Sequence, residues 1–247
     1  MTRTLGLVLL LCMSVICLGL WGCSDDDNGN DDDGTAVALG SNHLITGGEE
    51  WNYSLRGTLD PADGPAQSFG PVAAKISIGD EVVTLQVAPN AWVYALEADF
   101  SVGGRDESLR HALAVRQDDN GVMTVAGITA HLDGLPGRLD DPIPGLDLVG
   151  FQTTPNWAGT SNVQGGWGEF EADANYVGLE TVSNAAGRFR TVKVEGDYSL
   201  GDFPVTLVTW FNPQLGCFVK MTEHWEESDG TTMDLTFDLS STNVNYE

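Results

Sequence analysis

The chain has 247 residues, with 36 Asp or Glu against 11 Lys or Arg, a formal net charge of −25 at pH 7. Such an acidic balance excludes partners held through a basic patch, nucleic acid and anionic headgroups among them. The length admits one β domain or two small ones, and burial of about 70% of the unfolded surface lets a chain of this size fold without disulfide staples.

Arg3 precedes an uncharged run from Leu5 to Gly22, LGLVLLLCMSVICLGLWG. A basic n-region followed by an apolar h-region is the layout of a secretory signal. The 18 residues also reach the short limit of a membrane span, so an uncleaved anchor is the alternative. Both readings keep Arg3 inside and pass the acidic segment across. Leu20-Trp21-Gly22-Cys23 resembles the lipobox of bacterial lipoproteins, with Trp21 where that family has a small residue. The resemblance implies a signal peptide over residues 1–22 and Cys23 as the mature first residue, lipidated on its sulfur. A thiolate is the natural nucleophile for that alkylation, and acyl chains gain about 0.8 kcal/mol per buried CH₂. Cys12 and Cys17 leave with the signal, so Cys217 alone remains in the folded part and no intramolecular disulfide forms. Arg3 is the only charge lost, which takes the mature chain to −26.

Residues 23–34 then form the lipidated cysteine and an acidic tether, SDDDNGNDDDG after the cysteine. With no apolar residue to bury it is expected to be disordered, its 11 residues spanning on the order of 18 Å. A calcium loop is the competing reading, but no register gives Asp-x-Asp/Asn-x-Asp/Asn-Gly with a closing glutamate, so no metal is expected. Acidic residues directly after the cysteine are similar to surface-export signals of some Gram-negative lipoproteins. Ser24 at the next position resembles lipoproteins passed on to the outer membrane. The expected location is the bacterial cell envelope, lipid-anchored at the outer membrane, with surface exposure as the further reading.

Residues 35–247 read as a single all-β domain. PVAAKISI and EVVTLQV flank Gly79-Asp80, which predicts a hairpin, and in AWVYALEADFSV the residues Trp92, Tyr94, Leu96, Ala98, Phe100 and Val102 share one face. Residues 108–117 read as a short helix or as a strand turning back through Asp118-Asp119-Asn120-Gly121, and the Asn-Gly turn favours the strand. DGLPGRLDDPIPGLDL, residues 133–148, has the prolines and glycines of a long loop. Strand runs follow near Trp167 to Val177, Phe189 to Tyr198, Val205 to Phe211, Cys217 to Trp225 and Met233 to Leu239. Roughly ten strands without a long helix predict an antiparallel meander forming a closed or partly open barrel, with a two-sheet sandwich as runner-up. Gly178, Glu180, Thr181, Val182, Ala186, Gly187 and Phe189, followed by Trp210, Pro213, Gly216, Val219 and Lys220, resemble a pattern in TapB-like and DUF3108-like envelope proteins. That resemblance implies an envelope β domain and carries no catalytic set.

Chemistry is sparse. His43, His111, His131 and His224 have no zinc spacing and read as satisfied histidines at a core edge, and Cys217 reads as a buried, inert thiol. There is no nucleophile elbow, P-loop or dinucleotide fingerprint, so neither catalytic residues nor a cofactor is expected. The 30 acidic residues outside the tether leave a carboxylate-pair hydrolase as the least favoured class. Most tryptophans are expected in the core. Trp157, in TTPNWAGTSN, reads as a loop residue and the candidate ligand contact. Two binding functions remain: a non-catalytic module holding an apolar or lipid ligand in its curved sheet, or a surface protein recognising glycan or another envelope protein.

Overall fold

The computed structural model describes residues 36–37, 43–81, 83–85, 88–117, 123–129, 137–144, 156–163, 168–201 and 203–246. The signal, Cys23 and the tether lie outside them. The strands are β1 (Ala36–Val37), β2 (Glu50–Asp60), β3 (Gln67–Ile78), β4 (Val83–Leu85), β5 (Ala88–Val102), β6 (Arg105–Gln117), β7 (Met123–Thr129), β8 (Gly137–Pro144), β9 (Asn156–Val163), β10 (Gly168–Asn184), β11 (Gly187–Leu200), β12 (Phe203–Asn212), β13 (Cys217–Glu226) and β14 (Thr232–Thr242). Among the described residues there is no helix.

The ladder runs β11-β10-β9-β8-β7-β6-β5-β3-β2-β14-β13-β12, and β12 pairs again with β11. The antiparallel meander therefore returns on itself as a nearly closed barrel, the expected architecture. Among the described strands only the short β1 is parallel to its partner, with Ala36 opposite Arg188. Alternation accounts for the inward faces. Tyr94, Leu96, Ala98, Phe100 and Val102 of β5 are buried while Asp99 and Ser101 are exposed, and Met233, Leu235, Phe237 and Leu239 of β14 repeat the pattern.

Two local expectations are corrected and a third is decided. Gly79-Asp80 does not close a hairpin: β3 lies between β2 and β5, and β4 pairs with β5. The β3–β5 register places Ile76 against Leu96 and Ala74 against Ala98, a longer inward match than the short β4 can supply. Residues 133–148 are not all loop, since β8 lies inside them and pairs with β7. Pro144 ends that strand, and Pro142 sits within it. Residues 105–117 form β6, paired with β7, the strand that the Asn-Gly turn favoured over a helix.

The two ends of the barrel differ. At the end where β2 begins, residues 43–49 cross as a strap. His43 N donates to the Pro213 carbonyl at 2.9 Å, and the Gln117 side chain holds the His43 carbonyl at 3.0 Å and Ile45 N at 2.9 Å. The Glu49 carboxylate organises the strap by accepting from Thr46 N (2.6 Å), Thr46 Oγ1 (2.9 Å) and Gly47 N (2.9 Å), with His43 Nε2 at 3.2 Å. Burial would raise its pKa, but these hydrogen bonds, that of His43 first, prevail and bring it down to about 2. Gly47 has φ +93°, and a Cβ there would lie 3.1 Å from the Asp80 carbonyl and the Trp92 ring, so the turn requires glycine.

Behind the strap the interior is filled. Trp51, Tyr53, Phe170, Phe189, Phe211, Phe218 and Phe237 are fully buried, and Trp51 Nε1 donates to the Leu215 carbonyl at 3.0 Å. Tyr53 Oη donates to the Phe218 carbonyl at 2.8 Å and lies 3.1 Å from Cys217 Sγ. Towards the opposite end two register rows cross the wall, first Gly57–Leu235–Glu223–Leu207, then Leu59–Met233–Trp225–Val205. Gly57 makes room in the first row, since a Cβ there would stand 2.6 Å from the Phe69 ring and 2.7 Å from Leu235.

Candidate functional site

A groove of about 550 Å³ lies against the outer wall, lined by residues including Arg56, Glu180, Ser183, Asn184, Trp210, Lys220 and Asp238. Val205, Leu207, Thr209 and Phe211 face inward from β12, so Trp210 points outward. Its direct neighbours are Lys193 of β11 and Lys220 of β13, and Lys220 in turn stands opposite Asp238 of β14. Both ammonium groups lie over the indole, Lys220 Nζ at 4.6 Å and Lys193 Nζ at 5.4 Å from the ring centroid, within cation–π range. Indole Nε1 donates to Glu180 Oε2 at 2.7 Å, which fixes the ring.

The charges around this platform are unequally satisfied. Arg56 holds Asp238 at 2.7 Å, and Lys193 pairs with Glu195 at 2.9 Å and Glu180 at 3.6 Å. The Glu195 carboxylate first, then Glu180, raises the Lys193 pKa against its modest desolvation. Lys220 has its cation–π contact with Trp210 and no carboxylate within 4.0 Å among the described residues. On a chain of net charge −25 this is a place where an aromatic ring and an uncompensated cation meet. The Ser183 side chain adds a hydrogen-bonding group to the lining, while the Asn184 amide donates to the Val219 carbonyl at 3.0 Å and accepts from Ala186 N at 3.0 Å.

The structure places the residues singled out in the sequence as follows. Trp157 lies in β9, its backbone opposite Ala174 of β10, which corrects the loop assignment, and its side chain is outside the described ones. The alternation of β10 from Phe170 to Ala174 recruits β9 as a strand where composition suggested a loop. His111 is buried, His43 joins the strap, and His224 is exposed, with Nδ1 2.7 Å from Asp234 Oδ1. His131 lies outside the described residues. Among those described, no group of three or more His, Cys, Asp and Glu could hold a metal ion. Cys217 is buried and its thiol pushed up to about 12, by burial first. Native protein is therefore expected to leave Cys217 unlabelled by a chromogenic aromatic disulfide at pH 8 and to expose it to the reagent after denaturation. Rapid native labelling would contradict the packing around Tyr53.

Sequence reasoning missed Trp210 as a surface residue and Glu223 altogether. Glu223 follows Val219 and Met221 in the inward phase of β13 and is 1% exposed. Neither of its oxygens has a hydrogen-bond partner among the described residues, and burial alone raises its pKa to about 8.

No family model matches the chain, nor does any curated protein. Among solved structures it is similar to a Bacteroides fragilis protein described as exported and of YmcC-like fold. The identity is 13% and the TM-score 0.37, over 82% of this chain and 98% of that one. It is also similar to a protein described as a lipoprotein from Parabacteroides distasonis, at 11% identity and TM-score 0.37, over 84% and 99%. Superposition at that level carries no functional assignment.

Proposed function

We propose that the chain is a lipid-anchored protein of the bacterial cell envelope, held at the outer membrane through Cys23, which binds surface glycan through its outer-wall groove without catalysing a reaction. The lipobox-like LWGC and the acidic tether support the anchor. The observation that carries the binding function is Trp210, held outward by Glu180 beside Lys220, whose ammonium has no carboxylate within 4.0 Å among the described residues. An aromatic ring offers the apolar face of a sugar a stacking surface, and Ser183 and Lys220 offer hydrogen bonds to its hydroxyls. The alternative of a lipid held through the barrel is less well supported, because large aromatic side chains fill the described interior behind the strap.

The test is a glycan array with the mature protein and with Trp210→Ala, Lys220→Ala and Trp157→Ala. Loss of at least tenfold in affinity is expected for the first and a smaller loss for the second. Unchanged binding by Trp210→Ala would remove the groove from consideration. Loss by Trp157→Ala alone would move the contact to β9. For the location, protease treatment of intact cells is expected to digest the domain if the acidic tether acts as an export tag; an undigested domain would place it on the inner face.

A further inference from the structure

A second constellation lies at the barrel end opposite the strap and is independent of the groove. There a mouth of about 270 Å³ opens between the turns that follow β2, β5 and β13, lined among others by Leu59, Val102, Glu107, Glu227 and Asp229. Acidic side chains outnumber Arg105, the cation at its rim. From Glu227 at the mouth, just past the end of β13, the inward phase of that strand continues as Trp225 and Glu223, neither of which lines the mouth itself. Trp225 is 8% exposed, in the same register row as mouth-lining Leu59. Beyond it both oxygens of Glu223 lack hydrogen-bond partners among the described residues, as does Trp225 Nε1. The strands on either side present Val205, Leu207 and Thr209 from β12 and Met233, Leu235 and Phe237 from β14, none of them ionisable.

A buried carboxyl left without a donor or counter-charge is costly and calls for a physical reason. A cation suits these surroundings: the rim is acidic, the walls are apolar, and the Trp225 indole lies between mouth-lining Glu227 and the carboxyl in the same inward phase. We propose that this end of the barrel is a binding site for an organic ammonium ion with an apolar body, the ammonium pairing with Glu223 beside the Trp225 ring and the body resting against Leu59 and Val102 in the mouth. The mouth has the volume of about ten methylene groups. On binding, the carboxyl O–H of Glu223 breaks, its proton passes to the buffer, and the carboxylate pairs with the ammonium. The affinity therefore rises with pH until Glu223 is already ionised in the free protein.

The test titrates hexylammonium, hexanol and hexanoate by calorimetry into the mature lipoprotein in nanodiscs of zwitterionic lipid, with empty nanodiscs subtracted. Hexylammonium is expected to saturate one site and, at pH 6.5, to release close to one proton, read from buffers of different ionisation enthalpy. Hexanol and hexanoate should not saturate. Glu223→Gln, which keeps the shape of the neutral acid, is expected to bind at least tenfold more weakly and to release no proton. Absence of a saturable site, equal binding of hexanol, or full affinity in a folded Glu223→Gln protein would overturn the assignment. Proton release by the parent protein is decisive even if that variant fails to fold.

Discussion

Glu223→Leu should melt at a higher temperature than the parent barrel, and the difference should widen between pH 5 and pH 8. At pH 5 the side chain is a neutral acid whose lost hydrogen bonds cost about 1–3 kcal/mol, and leucine removes that cost. Burial raises the folded-state pKa from 4.5 to about 8. Between those values the folded chain keeps a proton that the unfolded chain has released, so stability falls as pH rises, by about 1.4 kcal/mol per unit. The fall levels off above the folded-state pKa, where both states are ionised. Scanning calorimetry of parent and variant at four pH values measures it. A constant difference across the series would show that the carboxyl has a counter-charge. Replacing a buried charge by an apolar side chain is commonly stabilising.

Glu49→Ala is expected to act in the opposite direction. Removing the carboxylate strands the N–H groups of Thr46 and Gly47 and the Thr46 hydroxyl at the strapped end, at a cost of about 3 kcal/mol. The folded-state pKa of Glu49, about 2, lies below its ordinary value. The carboxylate's stabilisation is therefore complete above the unfolded-state pKa and disappears as pH falls through the folded-state value. With partial solvent access at the end of the barrel discounted, the parent loses about 2 kcal/mol over that interval. The variant should lose nothing there, so the two melting curves converge in acid. Parallel curves would mean that the strap is held by its backbone contacts to Pro213 and by Gln117 alone.

Legibility in the sequence followed the range of the interactions. Where one strand buries one face, as in Met233 to Leu239, alternation was enough to place every residue. The same rule applied to VTLVTWF turns Trp210 outward, and applied to CFVKMTEHW turns Glu223 inward, so both positions were present in the pattern. Their chemistry was not, because it depends on neighbours distant in the chain: Lys193 and Glu180 for Trp210, Leu207 and Leu235 for Glu223. The Gly79-Asp80 turn misled for the same reason, since the partner of β3 was chosen by burial across the sheet and not by the adjacent turn. β8 was hidden by composition, its prolines and glycines tolerated in a ladder that the sequence alone does not reveal. The glutamate nest under the strap left no periodic trace, being made by a non-repetitive segment folded against the β12–β13 turn.

The strap and the last strand also give the barrel an up and a down. β1 meets the start of β11, residues 43–49 close the same end, and Tyr246 packs on Phe189 there, so the chain arrives and finishes on one side. A molecule moored through Cys23 on a short acidic leash would stand on that plugged base. Its mouth would then face away from the bilayer, like a chimney, open to whatever diffuses past.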